Sequence, residues 1–304
     1  MSTRKHVSLA GMLLGALLLP ALASAAPLRS VFPVTIKTGA GTITLSKRPT
    51  RIVSFSSTGT EDLFAIGAGK QVIAVDSQSL LPKNAPHTKL SAFSPNAEAI
   101  AAYHPDLVVV AFDMNKIVAA LSKLNIPVLL EPPAPDLEGV YAQLDQLAQA
   151  TGHLPQAKRL VTRLRQRVAA IVRSVPKSGP PIAVYHEIDP TFYTATSNTF
   201  IGRIYKLLGL RNIADAAHAS GNYPKLSAEY IVSANPDLVV LADTSCCGQS
   251  ATTVAKRPGW SEISAVIHHH VVGVPDILAS YWGPQIIDFL QTIATHVKAI
   301  RANG

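Results

Sequence analysis

One short motif occurs twice in this chain, and the distance between its copies limits what the chain can fold into. Asn96-Ala97-Glu98-Ala99-Ile100 leads into Pro105-Asp106-Leu107-Val108-Val109-Val110-Ala111, and Ser227-Ala228-Glu229-Tyr230-Ile231 leads into Pro236-Asp237-Leu238-Val239-Val240-Leu241-Ala242. The copies align without a gap, each position 131 residues from its twin. That separation is too long for a solenoid unit and close to the size of a domain, so it implies two similar half-molecules. Each copy reads as a short helix followed by a buried strand. Asn96 and Ser227 are N-cap types, which places Glu98 and Glu229 in the first helical turn. Pro105 and Pro236 stop the helices, and the branched apolar runs behind them have strand length.

Around the copies, strands and helices alternate, the pattern of a parallel sheet covered on both faces. After an exposed lead (Pro27 to Lys47), Arg51 to Phe55 reads as a first strand. Ser56 to Thr60 reads as a polar loop before a helix at Glu61 to Ile66. Val72 to Val75 is a strand, Met114 to Leu124 a helix, and Pro127 to Leu130 closes the first half. Leu137 to Gln149 is helical, and Leu154 to Val175 carries no internal Gly or Pro. A helix of that length spans about 30 Å, enough to join two domains stiffly. The second half restarts at Pro181 to Tyr185, continues with a helix at Phe200 to Leu208, and ends with strand His270 to Val274 and a helix from Gln285 to Ile300. The predicted fold class is α/β: two Rossmann-like lobes with parallel sheets joined by one long α-helix. Residues 26–153 form the N-terminal lobe, 154–175 the linking helix and 176–304 the C-terminal lobe.

Residues 1–25 read as a cleaved secretory signal. Arg4, Lys5 and His6 precede the apolar run Leu9 to Leu22, and Ala23-Ser24-Ala25 offers small residues for cleavage. The apolar run is short for a membrane span and is interrupted by Pro20. Without that segment the chain carries 25 basic and 19 acidic residues, an excess of six. Lys158, Arg159, Arg163, Arg165, Arg167 and Arg173 fall in the linking helix, as a solvated helix face would. Nothing resembles the basic, aromatic-interleaved patch of a nucleic-acid binder. A mild basic excess is compatible with anionic ligands or an acidic membrane surface. The sequence holds no GxSxG, HExxH, phosphate loop or dinucleotide glycine fingerprint, so no enzyme class is indicated.

The ordered motifs together resemble the substrate-binding proteins of ABC importers for cobalamin, ferric siderophores and haem, whose lobes are joined by a single long helix. The resemblance covers nearly all of the chain after the signal. It is carried by Arg51-Ile52-Val53-Ser54, Thr60 to Gly69, Pro95 to Ile100 with Pro105-Asp106-Leu107, and Thr199-Phe200-Ile201-Gly202. Asn212-Ile213-Ala214, the second copy, Arg257-Pro258-Gly259-Trp260 and Trp282-Gly283-Pro284 complete it. It implies an exported, monomeric, periplasmic carrier that docks on a membrane permease. Its cargo would be a small metal chelate, a cobalt corrinoid or an iron chelate, and it would need no cofactor. It also implies that Glu98 and Glu229 meet arginines of the permease. The residues alone are equally consistent with two carboxylates favoured by helix N-termini. A haem or free-metal carrier, or a sensor module with the same tips, are the alternatives.

In open α/β sheets ligands sit beyond the carboxyl ends of the strands. This nominates Phe55, Ser57, Thr58 and Phe93 in the first lobe, and Tyr185, His186, Phe192, Tyr193 and Tyr223 in the second. The resemblance adds Asp276, Tyr281 and Trp282. Aromatic faces of this kind suit a large planar ligand. Cys246 and Cys247 follow the second motif strand at the end where ligands bind, which nominates them as well, and they lack the spacing of a zinc site. A vicinal disulfide, two packed thiols and a thiolate metal ligand all remain open for them. His268-His269-His270 invites a metal reading, but in the resembling family this is a turn entering a strand, and no metal site is expected. His186 would be a candidate axial ligand if the cargo were haem.

Overall fold

The structure is a computed structural model that describes residues 32–217 and 220–303; the predicted signal, residues 1–25, lies outside them. The chain enters as an antiparallel hairpin of β1 (Val34–Thr38) and β2 (Gly41–Leu45). The first lobe follows: β3 (Ile52–Phe55), α1 (Ser57–Ala65), β4 (Val72–Val75), α2 (Ala97–Ala101), β5 (Leu107–Val110), α3 (Ile117–Lys123) and β6 (Val128–Leu130). Helices α4 (Leu137–Thr151) and α5 (Leu154–Ser174) lead to the second lobe. There the order is β7 (Ala183–Glu187), α6 (Phe200–Leu207), β8 (Arg211–Asn212), α7 (Ala228–Ala234), β9 (Leu238–Leu241), α8 (Thr244–Cys247), α9 (Ala251–Ala255), α10 (Ser264–Ile267) and β10 (Val271–Gly273). The chain ends with α11 (Asp276–Ser280) and α12 (Ile286–Asn303).

The duplication read from the motif extends to whole sheets. One has the order β4-β3-β5-β6 and the other β8-β7-β9-β10, with every pairing parallel. The Pro-Asp step of the motif has a mechanical reason. The Asp106 carboxylate accepts the amides of Thr50 and Arg51, both at 2.8 Å, while its own amide donates to the Arg51 carbonyl. In the other lobe, Asp237 does the same with Ala183. Each aspartate thereby pins the start of a motif strand to the start of the central strand beside it.

Both faces of each sheet are buried, as the continuous apolar strands require. Along β5, Leu107 and Val109 join a core shared by both lobes, while Val108 and Val110 join a core private to the first. Along β9, Leu238 and Val240 face the shared core, and Val239 and Leu241 a core private to the second. The shared core wraps α5, whose buried Ala157, Leu164 and Ile171 recur every seventh residue along one stripe. Helix α12 adds Phe289, Leu290 and Ile293 to that core. The lobes are therefore joined by continuous packing behind the cleft, which resists wide hinge opening.

Three local readings of the sequence change. The exposed lead contains the β1–β2 hairpin, with Ile36 and Leu45 buried against the shared core. The polar stretch Ser57 to Thr60 is the first turn of α1, because the Ser56 hydroxyl accepts the Gly59 amide as an N-cap. The helix expected from Met114 is broken, because Asn115 and Lys116 adopt left-handed backbone (φ 54° and 56°); α3 starts at Ile117.

Candidate functional site

In each sheet the connections leave the central strand in opposite directions, towards β4 and β5 in one lobe and β8 and β9 in the other. The carboxyl ends of these pairs are thus left open, the place where ligands bind in such sheets. Two adjoining chambers lie there. The first, about 660 Å3, is walled mainly by the first lobe, with Phe55, Ser57, Thr58 and Phe93 among its lining. The second, about 650 Å3, is walled mainly by the second lobe, with His186, Asn198, Asn222 and Tyr223. Phe112, Ser280, Tyr281 and Trp282 line both and form the ridge between them.

The ridge belongs to a segment that crosses from the second lobe to the first. The Tyr281 hydroxyl donates to the Gln78 carbonyl at 2.7 Å, the Trp282 amide to the Thr58 hydroxyl at 3.3 Å, and the Gln285 amide to the Glu61 carboxylate at 2.9 Å. Gly283 fits this crossing closely: a Cβ there would stand 2.7 Å from a Glu61 carboxylate oxygen, and that carboxylate would have to shift. The Trp-Gly-Pro motif thus ties the lobes together at the floor of the cleft. Glu61 is buried without a cation, and burial pushes its carboxyl up to about 7.

The lining is aromatic and amide-rich, and the charged side chains among its described residues, Asp76 and Asp276, are acids. Asp76 is buried, accepts from Ser79 and is raised by that burial. Asp276 accepts the amides of Ser245 and Cys246; burial alone would raise it, but these bonds hold it below the usual carboxylate range. No lysine or arginine is found among the described residues that line the two chambers. Phe93 and Tyr223 are 70% and 58% exposed and Phe112 55%, so large aromatic faces stand open to the cleft. His186 is buried, its Nδ1 2.6 Å from the Tyr205 hydroxyl, and burial lowers it to about 4, so it is neutral at physiological pH. Among the described residues, no three His, Cys, Asp or Glu side chains converge to hold a metal ion.

Of the nominated residues, Phe55, Ser57, Thr58, Phe93, His186, Tyr223, Asp276, Tyr281 and Trp282 are brought together. Five are not. Tyr185 alternates with His186 along β7 and so points into the private core, edge-on to Trp260 with its hydroxyl towards Glu187. Phe192 (φ 72°) turns back to stack on the same Trp260. Tyr193 bridges to Lys225 outside the chambers. Cys246 and Cys247 are bonded to each other on exposed α8, away from both chambers. Leu80, Phe112 and Met114, exposed apolar residues of the first chamber, went unnominated. The available signal was Phe112, which directly follows the first motif.

Glu98 and Glu229 occupy equivalent places. Their helices begin at the same end of the sheets as the cleft, capped by Asn96 (2.7 Å to the Ala99 amide) and Ser227 (3.1 Å to the Tyr230 amide). Both glutamates are exposed, and neither makes an ion pair among the described residues. The bonds at the helix start hold the Glu229 carboxyl below the usual range. His268 and His270 stack with ring centroids 6.0 Å apart in the turn before β10, at the end of the sheet opposite the cleft.

A family profile described as periplasmic binding protein matches residues 52–278. The chain belongs to this family. It is 30% identical over 278 residues, 88% of this chain and 86% of the relative, to an uncharacterized ABC transporter substrate-binding lipoprotein, YvrC of Bacillus subtilis. It is 34% identical over 217 residues to a cobalamin-binding protein of Halobacterium salinarum, a match covering 69% of this chain and 58% of that relative. Among solved structures, the periplasmic haem-binding protein HutB of Vibrio cholerae is similar with a TM-score of 0.72 and 25% identity, covering 81% of this chain and 98% of that one. The two-lobed parallel fold expected from the sequence is the fold of this family, and its members are binding proteins. Among the described residues, no helix is long and apolar enough to cross a membrane.

Proposed function

We propose that this chain is the exported substrate-binding component of an ABC importer, and that its cargo is a corrinoid such as cobalamin. The observation that carries the choice of cargo is the cleft without a cation. Haem presents carboxylates and catecholate siderophores carry negative charge, so each would desolvate anions with no partner, at a cost of several kcal/mol. A corrinoid is rimmed by neutral amides, which suit Asn198, Asn222 and Gln78, and its flat face suits Phe93, Phe112, Tyr223 and Trp282. The two chambers, which share Phe112, Tyr281 and Trp282, suit a ligand with a macrocycle and a second bulky body. The cobalamin-binding relative supports the same reading.

In this reading the protein is a monomeric carrier and catalyses nothing. Residues 1–25 direct it across the cytoplasmic membrane into the periplasm and are cleaved. Glu98 and Glu229, one per lobe on the cleft side, meet cationic residues of the permease. One observation favours haem instead: the Tyr223 phenol stands open in the cleft and is the type of ligand that haem iron accepts. Optical titration of residues 26–304 with cyanocobalamin, haemin and a ferric catecholate separates the readings. Saturable, one-to-one binding of cyanocobalamin, tighter than that of either competitor, is expected. Tight binding of haemin with a tyrosinate spectrum lost in Tyr223→Phe would overturn the corrinoid assignment.

A further inference from the structure

Cys246 and Cys247 lie outside both chambers, yet they are wired to the cleft wall. They end α8, are bonded to each other and are exposed to solvent. The Asp276 carboxylate grips the same short turn, accepting the Ser245 amide at 2.9 Å and the Cys246 amide at 2.8 Å. The Thr244 hydroxyl adds a bond to the Val274 carbonyl at 2.9 Å. From below, the Asp243 carbonyl accepts the Cys247 amide at 3.2 Å. Asp276 is the first residue of α11. That helix presents Ile277 and Ser280 to the first chamber, and the ridge residues Tyr281 and Trp282 follow directly. A single turn therefore holds the amides that anchor one end of the cleft wall.

A disulfide between neighbours in sequence closes a small ring that contains their shared peptide bond, so it fixes the backbone that directly follows the Ser245 and Cys246 amides that Asp276 reads. We propose that the Cys246–Cys247 disulfide is a redox-controlled catch: reduction releases the turn, loosens the grip of Asp276 on Ser245 and Cys246, and lets the wall from Asp276 to Trp282 move. The chemistry is thiol–disulfide exchange with a dithiol reductant. One reductant thiolate attacks a cysteine sulfur and breaks the Sγ–Sγ bond, forming a mixed disulfide. The second reductant thiol then attacks that mixed disulfide and leaves as a cyclic disulfide. Two electrons and two protons pass to Cys246 and Cys247, which become thiols. The consequence for cargo rests on the reading of the cleft as the cargo site; the movement of the wall does not.

Hydrogen exchange of ligand-free protein, oxidised and after dithiothreitol, tests the catch directly. Amides of residues 276–282 are expected to exchange about tenfold faster after reduction, while those of α5 are unchanged. Reoxidation should reverse the effect, and the Cys246→Ser/Cys247→Ser double variant should exchange fast in both conditions. Equal exchange of 276–282 in oxidised and reduced wild-type protein would overturn the proposal, as would complete alkylation of both thiols in protein purified without reductant. With cyanocobalamin as the probe, the double variant should bind about tenfold more weakly than oxidised wild type. If neither binds cyanocobalamin, the corrinoid reading fails and the exchange result stands by itself.

Discussion

Glu61 gives the sharpest quantitative expectation. Its carboxylate lies between α1 and the crossing segment, 7% exposed, with one oxygen on the Gln285 amide and the other without a partner. Among the described residues no cation is paired with it; the Asp288 charge raises it further, and the charges of Glu61 and Glu131 in turn raise buried Asp62. Burial raises its carboxyl from 4.5 to about 7. The folded state therefore holds a proton that the unfolded chain has released. The stabilisation is complete below about pH 4.5 and is lost as pH rises to about 7. At about 1.4 kcal/mol per tenfold change in proton affinity, the loss is about 3 kcal/mol. Glu61→Gln keeps an acceptor for the Gln285 amide and cannot ionise. Denaturant unfolding of both proteins from pH 4.5 to pH 8 isolates the effect. Glu61→Gln should gain about 3 kcal/mol on wild type across that window, while Glu131 and Asp243, present in both, cancel. A difference that stays constant with pH would refute the reasoning.

Three further outcomes are expected. Trp282→Ala removes the ridge face shared by both chambers and should weaken cargo binding by about 2 kcal/mol, roughly 30-fold, in the optical titration. Arg257 makes two 2.6 Å bonds to fully buried Glu187 beside buried Asp243. Arg257→Met leaves both acids without a cation and should cost about 3 to 5 kcal/mol in denaturant unfolding, with Glu187→Gln restoring part of it. A loss under about 1 kcal/mol would show that the pair is not uncompensated. Charge reversal of Glu98 and Glu229 together should abolish uptake in cells and leave cargo affinity unchanged; a large loss of affinity in the purified variant would remove these glutamates from the docking role.

The features legible in the sequence were those set by local pattern. Caps, proline stops and apolar runs placed the paired motifs, and their spacing implied the doubled sheet that β4-β3-β5-β6 and β8-β7-β9-β10 realise. Side-chain direction was harder. Tyr185 and His186 are neighbours on a strand buried on both faces, so one must turn from the cleft, and their order alone does not say which. Phe192 depends on a left-handed turn that carries it back onto Trp260, a partner 68 residues away. Gly283 was visible as part of a motif, but the atoms it passes closely belong to Glu61, more than two hundred residues earlier. Leu80 and Met114 are apolar residues in irregular segments, and only the folded chain shows them open to the first chamber.

Charge shows why a whole-chain quantity misleads about a site. The basic excess is compatible, at face value, with an anionic ligand. In the fold, Lys158, Arg159, Arg163, Arg165, Arg167 and Arg173 are exposed along α5, while the buried stripe of that helix faces the shared core. Among the described residues, the charged side chains that line the two chambers are Asp76 and Asp276, and no lysine or arginine lines either. In the second lobe, Arg257 is spent on Glu187. Among the described residues, the cleft lining thus takes no part of the chain's basic excess, and the carboxyl there that is held below the usual range is Asp276.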